Sequence, residues 1–325
     1  MRHLFFTATI LALVVVILGA YTRLTDSGLG CPDWPGCYGQ MIPRVMGHES
    51  RVTSYESPID IKKAWTEMIH RYFAGTLGLF ILVIAIISIK RRRQPGQPFL
   101  LPLLLLGAVI FQALLGMWTV TLLLNPLVVM GHLLGGMTTL GLCWWLTLTC
   151  RGGPLWPPDM QGNHRGLPLP FAPIAALIIL ILQIALGGWV SANYAALACP
   201  DFPTCMGSWW PQMNWAHAFD PWKSLGAIDN EARVAIHILH RLGAVVTFLV
   251  LGFLAVKGLT GAEDKSVKAT SIIMILLLIA QVTLGISTVL FIRPLEIATA
   301  HNAVAALLLL TVIALNDQIA RRLTS

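Results

Sequence analysis

Charged residues are scarce in this sequence. Only 11% of its 325 residues are Asp, Glu, Lys or Arg, whereas an average soluble protein has about 25%. Apolar residues make up 56%, which excludes a soluble globular enzyme and leaves no room for a large soluble domain. The net charge of +7 does not indicate nucleic-acid binding, because most cations fall in short loops rather than on a water-exposed basic face.

Long apolar runs fill the chain instead. A membrane-spanning helix needs about 20 mainly apolar residues. Eight such segments are predicted, over residues 4–24, 63–89, 99–121, 128–150, 169–192, 231–256, 269–291 and 297–318. The first runs into LGAYTRLT without a small-residue cleavage site, so we expect a retained helix rather than a signal peptide. The sequence therefore predicts an all-α, multi-pass membrane protein.

Cations cluster on one side of this predicted topology. That side carries twelve cations and only four acids, Asp159, Glu263, Asp264 and Asp317. The cations are Arg2, Lys90, Arg91, Arg92, Arg93, Arg151, Arg165, Lys257, Lys265, Lys268, Arg321 and Arg322. By the positive-inside rule, we expect this side and both termini to be cytoplasmic or on the equivalent side of an organelle, with a bacterial inner membrane as the expected location. The two long loops, 25–62 and 193–230, are then expected to face outside.

The chain contains an internal duplication. LGAYTRLTDSGLGCPDWPGCYG matches LGGWVSANYAALACPDFPTCMG, and QALLGMWTV matches QVTLGISTV, at an offset near 168 residues. Each half has four predicted helices, so both halves enter the membrane from the same side. We expect two tandem four-helix bundles, over 1–155 and 165–325, related by a pseudo-twofold axis along the membrane normal.

Histidines recur within the predicted helices of both halves. His70, His132, His240 and His301 are expected in one layer, about 6 to 14 Å below the outer surface at 1.5 Å per residue. Two imidazoles on facing helices can supply both axial ligands of a heme iron. A neutral imidazole bonded to a neighbouring helix is the alternative, and zinc fits less well because it takes three or four ligands. The remaining loop and terminal histidines, His3, His48, His164 and His217, are expected to be solvated.

The two halves differ one helical turn before their first paired histidine. EMIHR places Glu67 three residues before His70, whereas HILHR places His237 there. Residues three apart share a helix face, so Glu67 is expected to face the His70 cavity and to stabilise charge or exchange a proton. A Glu that is hydrated or paired with Arg71 is the alternative. For His237 a role other than metal ligation is favoured.

Arginine and glutamine also recur beside these histidines. Arg71 and Arg241 are candidates to bind heme propionates, since a guanidinium matches a carboxylate; helix anchoring or pairing with Glu67 is the alternative. Gln112 and Gln281 are interpreted as packing and hydrogen-bonding positions.

Four of the six cysteines form two C-x5-C pairs, Cys31 with Cys37 and Cys199 with Cys205. Both pairs lie in loops predicted to face an oxidising compartment, so disulfides are expected. Each pair can be either a structural crosslink that closes its loop or a redox-active pair, and the sequence does not decide between the two. Cys143 and Cys150 are expected to be ordinary membrane-embedded thiols.

Taken together, these motifs resemble the heme A synthase family over essentially the whole chain. The resemblance rests on the paired cysteines after LGAYTRLTDSGLG, EMIHR in the second helix, MGHL in the fourth, LHR in the sixth and TAHN in the eighth. It implies an oxidoreductase that oxidises the C8 methyl group of heme O to the formyl group of heme A, by two hydroxylations and loss of water. It also implies a resident heme b.

The resemblance assigns roles to the residues singled out above. It implies that His240 and His301 bind the heme b iron, that His70 and His132 belong to the heme O site, and that Glu67 is the catalytic carboxylate. Cys31 and Cys37 match the loop pair of the family. Expected partners are heme O, the lipid bilayer, an electron donor, and as further candidates a heme O-forming prenyltransferase and a second copy of the chain.

Two other functions are compatible with the same residues. A di-heme electron-transfer cytochrome, linked to quinol, would use the same ligands and would have equivalent halves. A parallel-repeat transporter would use His and Glu as a proton relay and would be colourless. The difference between Glu67 and His237 counts against the cytochrome.

Overall fold

The computed structural model describes residues 1–43, 60–94, 97–150, 172–220 and 228–322. In these ranges the chain is helical and contains no strand. The helices are α1 (Arg2–Leu24), α2 (Ile61–Lys90), α3 (Leu100–Thr121), α4 (Pro126–Thr149), α5 (Ala172–Ala192), α6 (Trp215–Ala218), α7 (Asn230–Gly261), α8 (Lys265–Leu290) and α9 (Leu295–Arg322). The predicted all-α class is confirmed.

Eight of these helices are long and apolar enough to cross a membrane, which confirms the eight predicted spans. Three helices extend further than predicted at the cation-rich end: α7 runs to Gly261, α8 begins at Lys265 and α9 runs to Arg322. Lys and Arg are good helix formers whose long stems can reach water from a helix end. The boundary between the predicted halves, together with His48, Arg151, Asp159, His164 and Arg165, lies outside the described residues.

Polar side chains cap several of the helices where they leave the apolar layer. The side chains of Asp60, Asn125, Asp229 and Asp264 accept hydrogen bonds from the first backbone N–H groups of α2, α4, α7 and α8. Those N–H groups have no partner inside a helix, so an N-cap stabilises each start by about 1 kcal/mol. Four short polar residues thus fix where the spans begin.

The short helix α6 was not predicted. Asn214 caps it, and the Asn214 amide and the His217 ring both lie against the Asp229 carboxylate, at 2.9 and 2.6 Å. The hydrogen bond with His217 is the main reason that the pKa of Asp229 lies below its ordinary value. His217 is therefore paired as well as partly exposed, which corrects the expectation of a merely solvated side chain.

The long helices contact one another in the same way within each half. In the N-terminal half, α1 and α3 each pack against both α2 and α4, so α2 and α4 lie diagonally. In the C-terminal half, α5 and α8 each pack against both α7 and α9. Between the halves, α4 contacts α5 and α9, and α1 contacts α9. The pseudo-twofold axis along the membrane normal stays a prediction.

Apolar side chains fill the core, and backbone-directed hydrogen bonds join the halves. The largest buried side chains include Phe5, Ile81, Ile84, Leu140, Leu251 and Met274. Trp144 of α4 donates its indole N–H to the Leu310 carbonyl of α9 at 2.9 Å, and Arg23 donates to the Ser191 carbonyl at 2.7 Å. These bonds satisfy polar atoms that lipid could not.

Each of the two loops with a C-x5-C pair is closed by the predicted disulfide. Cys31 is bonded to Cys37 and Cys199 to Cys205, with Cα atoms 4.8 and 4.7 Å apart. Inside each ring an aspartate accepts backbone N–H groups from the following turn, Asp33 from Tyr38 and Gly39, and Asp201 from Met206 and Gly207. The added hydrogen bond from Thr204 is the first cause that holds the pKa of Asp201 at about 2. The duplication therefore extends to loop conformation.

The first loop packs directly on the start of α2 through Gly30. A Cβ atom at Gly30 would lie 2.5 Å from the Lys63 carbonyl carbon and 2.8 Å from the Ala64 nitrogen. Both are backbone atoms, so neither can move away by rotation of a side chain. The second loop has Ala198 at the equivalent position, 168 residues later.

We therefore expect Gly30→Ala to lower the free energy of unfolding by about 1–3 kcal/mol, the usual cost of overpacking. Thermal unfolding and protease cleavage of the loop in detergent would measure it. Ala198→Gly is the matched control and should change stability by well under half as much. Equal stability of Gly30→Ala and the unchanged chain would contradict the close packing.

Candidate functional site

Four histidines that correspond in the repeat form one pair in each half, on diagonal helices. His70 lies on α2 and His132 on α4, whereas His240 lies on α7 and His301 on α9. The His70 and His132 ring centroids are 6.4 Å apart, with ring planes at 86°. All four imidazoles are at least partly buried. The structure thus brings together the N-terminal pair predicted from the sequence.

Each of these histidines lies against a glycine of a neighbouring helix, a feature that the sequence analysis missed. A Cβ on Gly19 would lie 2.9 Å from Cε1 of His70, and on Gly116 3.2 Å from Cε1 of His132. The corresponding distances are 3.2 Å from Gly187 to His240 and 3.0 Å from Gly285 to His301. Leu-Gly pairs repeat at an offset of 168–169 residues, and this repeat is the sequence signal from which the four glycines could be identified.

The pairs differ in their polar partners. His301 Nδ1 lies 3.1 Å from the Gln281 carbonyl oxygen, and Gln281 Nε2 lies 3.2 Å from His301 Nε2. Gln183 Nε2 lies 3.1 Å from His240 Nδ1. In the N-terminal half, Gln112 donates to the His132 backbone carbonyl at 2.5 Å. Nδ1 of His70 and Nδ1 of His132 have no partner of full hydrogen-bond geometry among the described residues, although the backbone of Val15 interacts with His70 and that of Gln112 with His132.

This donor set fits a metal held by two imidazoles. A metal–imidazole bond is about 2.0 Å long and a ring nitrogen lies about 1.1 Å from the centroid, so two imidazoles sharing one iron have centroids about 6 Å apart. The His70–His132 separation of 6.4 Å matches that value. No group of three or more His, Cys, Asp or Glu side chains suited to a metal occurs in the described ranges, which disfavours zinc.

Glu67 is buried, and both of its carboxylate oxygens have partners. Oε2 accepts the Cys31 backbone N–H at 2.8 Å, and Oε1 lies 2.5 Å from Nη2 of Arg71. Its side chain is only 6% exposed. The ion pair with Arg71, left open by the sequence, is therefore present, and the catalytic role of Glu67 stays a prediction.

In the C-terminal half, His237 occupies the position that corresponds to Glu67, so this half has no acidic side chain there. Its Nδ1 lies 3.0 Å from the Ala195 carbonyl oxygen, and the residue is 4% exposed. The backbone carbonyl gives this buried imidazole a hydrogen-bond partner, and a role other than metal ligation stays a prediction.

Arg71 and Arg241 anchor the two disulfide loops. Arg71 Nη1 donates to the carbonyl oxygens of Asp33 and Gly36 at 2.9 and 2.6 Å. Arg241 donates to those of Thr204 and Asp201 at 2.8 and 2.7 Å. These contacts favour the anchoring role over propionate binding, which stays a prediction. The free cysteines of the described residues are Cys143, which is buried, and Cys150, which is partly buried.

Comparisons with known proteins cover almost the whole chain. Residues 2–313 match the family model COX15-CtaA, described as a cytochrome oxidase assembly protein. The heme A synthase of Shewanella oneidensis is 45% identical over 318 residues, covering 94% of this chain and 93% of that protein. The heme A synthases of Methylobacterium radiotolerans and Halalkalibacterium halodurans are 29% and 26% identical, over 98% and 95% of this chain and 90% and 93% of their own lengths.

The glycine contacts lead to a direct prediction about the N-terminal pair. Gly19→Ala places a methyl group 2.9 Å from Cε1 of His70 and must displace the ring, so we expect heme titrated into the purified protein to bind the N-terminal half at least about tenfold more weakly. Gly107→Ala is the control, because a Cβ there meets nothing within 4 Å. Equal heme affinity of the two variants would show that ring placement does not depend on this glycine.

Proposed function

This chain belongs to the COX15-CtaA family of cytochrome oxidase assembly proteins, and on that premise we propose that it is a heme A synthase. It oxidises the C8 methyl group of heme O to a formyl group. The observation that carries the proposal is the 45% identity to a heme A synthase over 94% of the chain. The paired histidines in both halves support it, because they provide bis-imidazole sites for two hemes.

The two halves divide the work between substrate and cofactor. In the proposal, residues 1–155 hold heme O through His70 and His132, and residues 165–325 hold a resident heme b through His240 and His301. The hydrogen bonding of His301 supports the second assignment. When its Nδ1–H donates to the Gln281 carbonyl oxygen, the lone pair that would bind iron is on Nε2, and the Gln281 amide that lies 3.2 Å from Nε2 would have to turn away.

A bound heme supplies the redox chemistry of the C–H oxidation. The protein's own contribution is to orient the substrate, exclude water and hold charge beside the reacting carbon. We assign the last task to Glu67, whose carboxylate is fixed by the Cys31 N–H and Arg71 and can exchange a proton or stabilise positive charge. The C-terminal half has His237 instead of an acid, so the reaction is assigned to the N-terminal half.

The positions of the charges support a proposal for the membrane orientation. The disulfide loops follow α1 and α5, at one end of the spanning helices, whereas Lys90, Lys257 and Lys265 lie at or beside the opposite ends of α2, α7 and α8. The cation-rich end is proposed to be cytoplasmic, with both termini. The remaining proposed partners are an electron donor, a prenyltransferase that delivers heme O, and a second copy of the chain.

Glu67→Gln should retain heme and lose conversion. The amide keeps the size of the side chain but can neither carry the charge nor take up a proton, so we expect the yield of heme A to fall by about 100-fold or more. The assay is expression with a supply of heme O, followed by chromatography and mass analysis of the extracted hemes. Full conversion by this variant would remove Glu67 from the mechanism.

His240→Ala should lose the resident heme b, because one of its two axial ligands is removed. The absorption spectrum of the purified protein and its pyridine hemochrome would show about one heme fewer per chain. His237→Ala is the matched control on the same helix and should keep its heme, since His237 is bonded to the Ala195 carbonyl. Unchanged heme content in His240→Ala would overturn the ligand assignment.

A further inference from the structure

The arginines beside the paired histidines are already engaged, so other cations are needed to bind the heme propionates. Arg71 and Arg241 donate to carbonyl oxygens of the disulfide loops. Each also follows its histidine by one residue, and neighbouring residues on a helix are about 100° apart, so it lies on a different face from the ring. A side chain that binds a propionate should instead share the face of the histidine.

A second cation recurs on that face in each half. Lys63 lies seven residues before His70 on α2, and Arg233 lies seven residues before His240 on α7. Seven residues make almost two turns, so each cation lies within about 20° of its histidine around the helix and about 10.5 Å from it along the axis. The propionates of a heme extend from one edge of the macrocycle, at a comparable distance from the iron.

Arg233 is partly buried and lacks a counter-ion in the part of the chain that the structure describes. Its Nε is buried and meets no hydrogen-bond partner there, and none of the ion pairs of these residues includes it. Asp229, one turn earlier, is paired with His217, and Glu231 is exposed. A guanidinium that loses water without gaining a partner costs free energy, which a carboxylate of a ligand would offset.

Lys63 is in a similar position in the N-terminal half. It is partly buried, and it takes part in none of the ion pairs found among the described residues. Glu67, one turn further along α2, does not neutralise it, because both oxygens of Glu67 are held by the Cys31 N–H and Arg71. The ammonium group of Lys63 is therefore available to a ligand.

We propose that Arg233 binds a propionate of the heme in the C-terminal half, and that Lys63 binds a propionate of the heme in the N-terminal half. A guanidinium holds a carboxylate through two parallel hydrogen bonds, whereas an ammonium acts as a point charge. The resident heme thus has the more directional partner, and the substrate, which must leave as product, has the less directional one. The inference rests on the proposed function and adds the residues that orient each macrocycle about its iron.

The order of side chains along α2 matches the order of groups on the substrate. Lys63, Glu67 and His70 lie at about 0, 6 and 10.5 Å along the helix axis and within about 60° around it. In heme O the C8 methyl group and one propionate belong to the same pyrrole ring, whose nitrogen binds the iron. With the iron at His70 and that propionate at Lys63, the methyl group comes beside Glu67, so Lys63 selects the carbon that is oxidised.

The test is heme binding by the full-length chain, with hemin and its propionate dimethyl ester as probes. The C-terminal site is measured alone in a His70→Ala chain and the N-terminal site alone in a His240→Ala chain, each produced without heme and titrated in detergent. The ester has no carboxylate, so we expect each site to bind it about 10- to 100-fold more weakly than hemin. Equal affinity for the two probes would overturn the inference, whereas no binding of either probe by either chain would contradict the proposed function itself.

Arg233→Met and Lys63→Met, each in the matching chain, test whether these residues cause the preference for hemin. Met keeps a long side chain without the charge, so we expect hemin to bind about tenfold or more weakly and the affinity for the ester to stay the same. A purely structural role would weaken the binding of both probes equally, and that result would overturn the inference. Lys62→Met is the matched control for Lys63→Met, because Lys62 is exposed and lies about 100° from Lys63 around the helix; it should keep the full preference.

The orienting role of Lys63 is tested in the otherwise unchanged protein. With an excess of heme O, we expect Lys63→Met to yield at most about a tenth of the heme A that Lys62→Met yields, since a misplaced reacting carbon is oxidised slowly. Chromatography and mass analysis of the extracted hemes measure both yields. Equal yields would contradict the role of Lys63 in selecting the carbon.

Discussion

Polar groups between eight apolar membrane helices cannot form hydrogen bonds to bulk water, and the rest of this structure depends on that constraint. Each polar atom between the helices needs a partner from the protein, since lipid offers none. The imidazoles lie in grooves left by glycines, and glutamine amides reach their rings or backbones. Trp144 and Arg23 bond carbonyl oxygens of the opposite half. The positions of the functional side chains are therefore a consequence of how the chain satisfies buried polarity.

Much of this arrangement could be predicted from the sequence because its signals are long or repeated. A run of about 20 apolar residues is recognisable without tertiary information, and all eight spans were found. The two disulfides followed from loop position and compartment. The duplication made His70 and His132 comparable with His240 and His301, which isolated histidines would not have been.

Other features depend on which groups come close together in three dimensions, and the spacing of residues along the sequence does not give this. Arg71 could have paired with a ligand, with Glu67 or with a loop, because a long flexible side chain can reach several targets; it contacts both Glu67 and the loop carbonyls. The four-residue helix α6 is too short for any periodic pattern. The counterpart of Gln183 in the repeat is Val15. A comparison of the polar residues that both halves share therefore does not identify Gln183.

The packing of the first disulfide loop on α2 has a consequence for substrate geometry. Gly30 holds the loop backbone against Lys63 and Ala64, and the next residue along the chain donates its N–H to Glu67. One carboxylate oxygen is thereby held by a main-chain N–H and the other by the Arg71 side chain. In the proposed reaction, a carboxylate held in this way stays in place while the reacting carbon goes from methyl to alcohol to aldehyde. The macrocycle would then bring the same carbon back to the same place for each round, with Glu67 as the fixed point of the site.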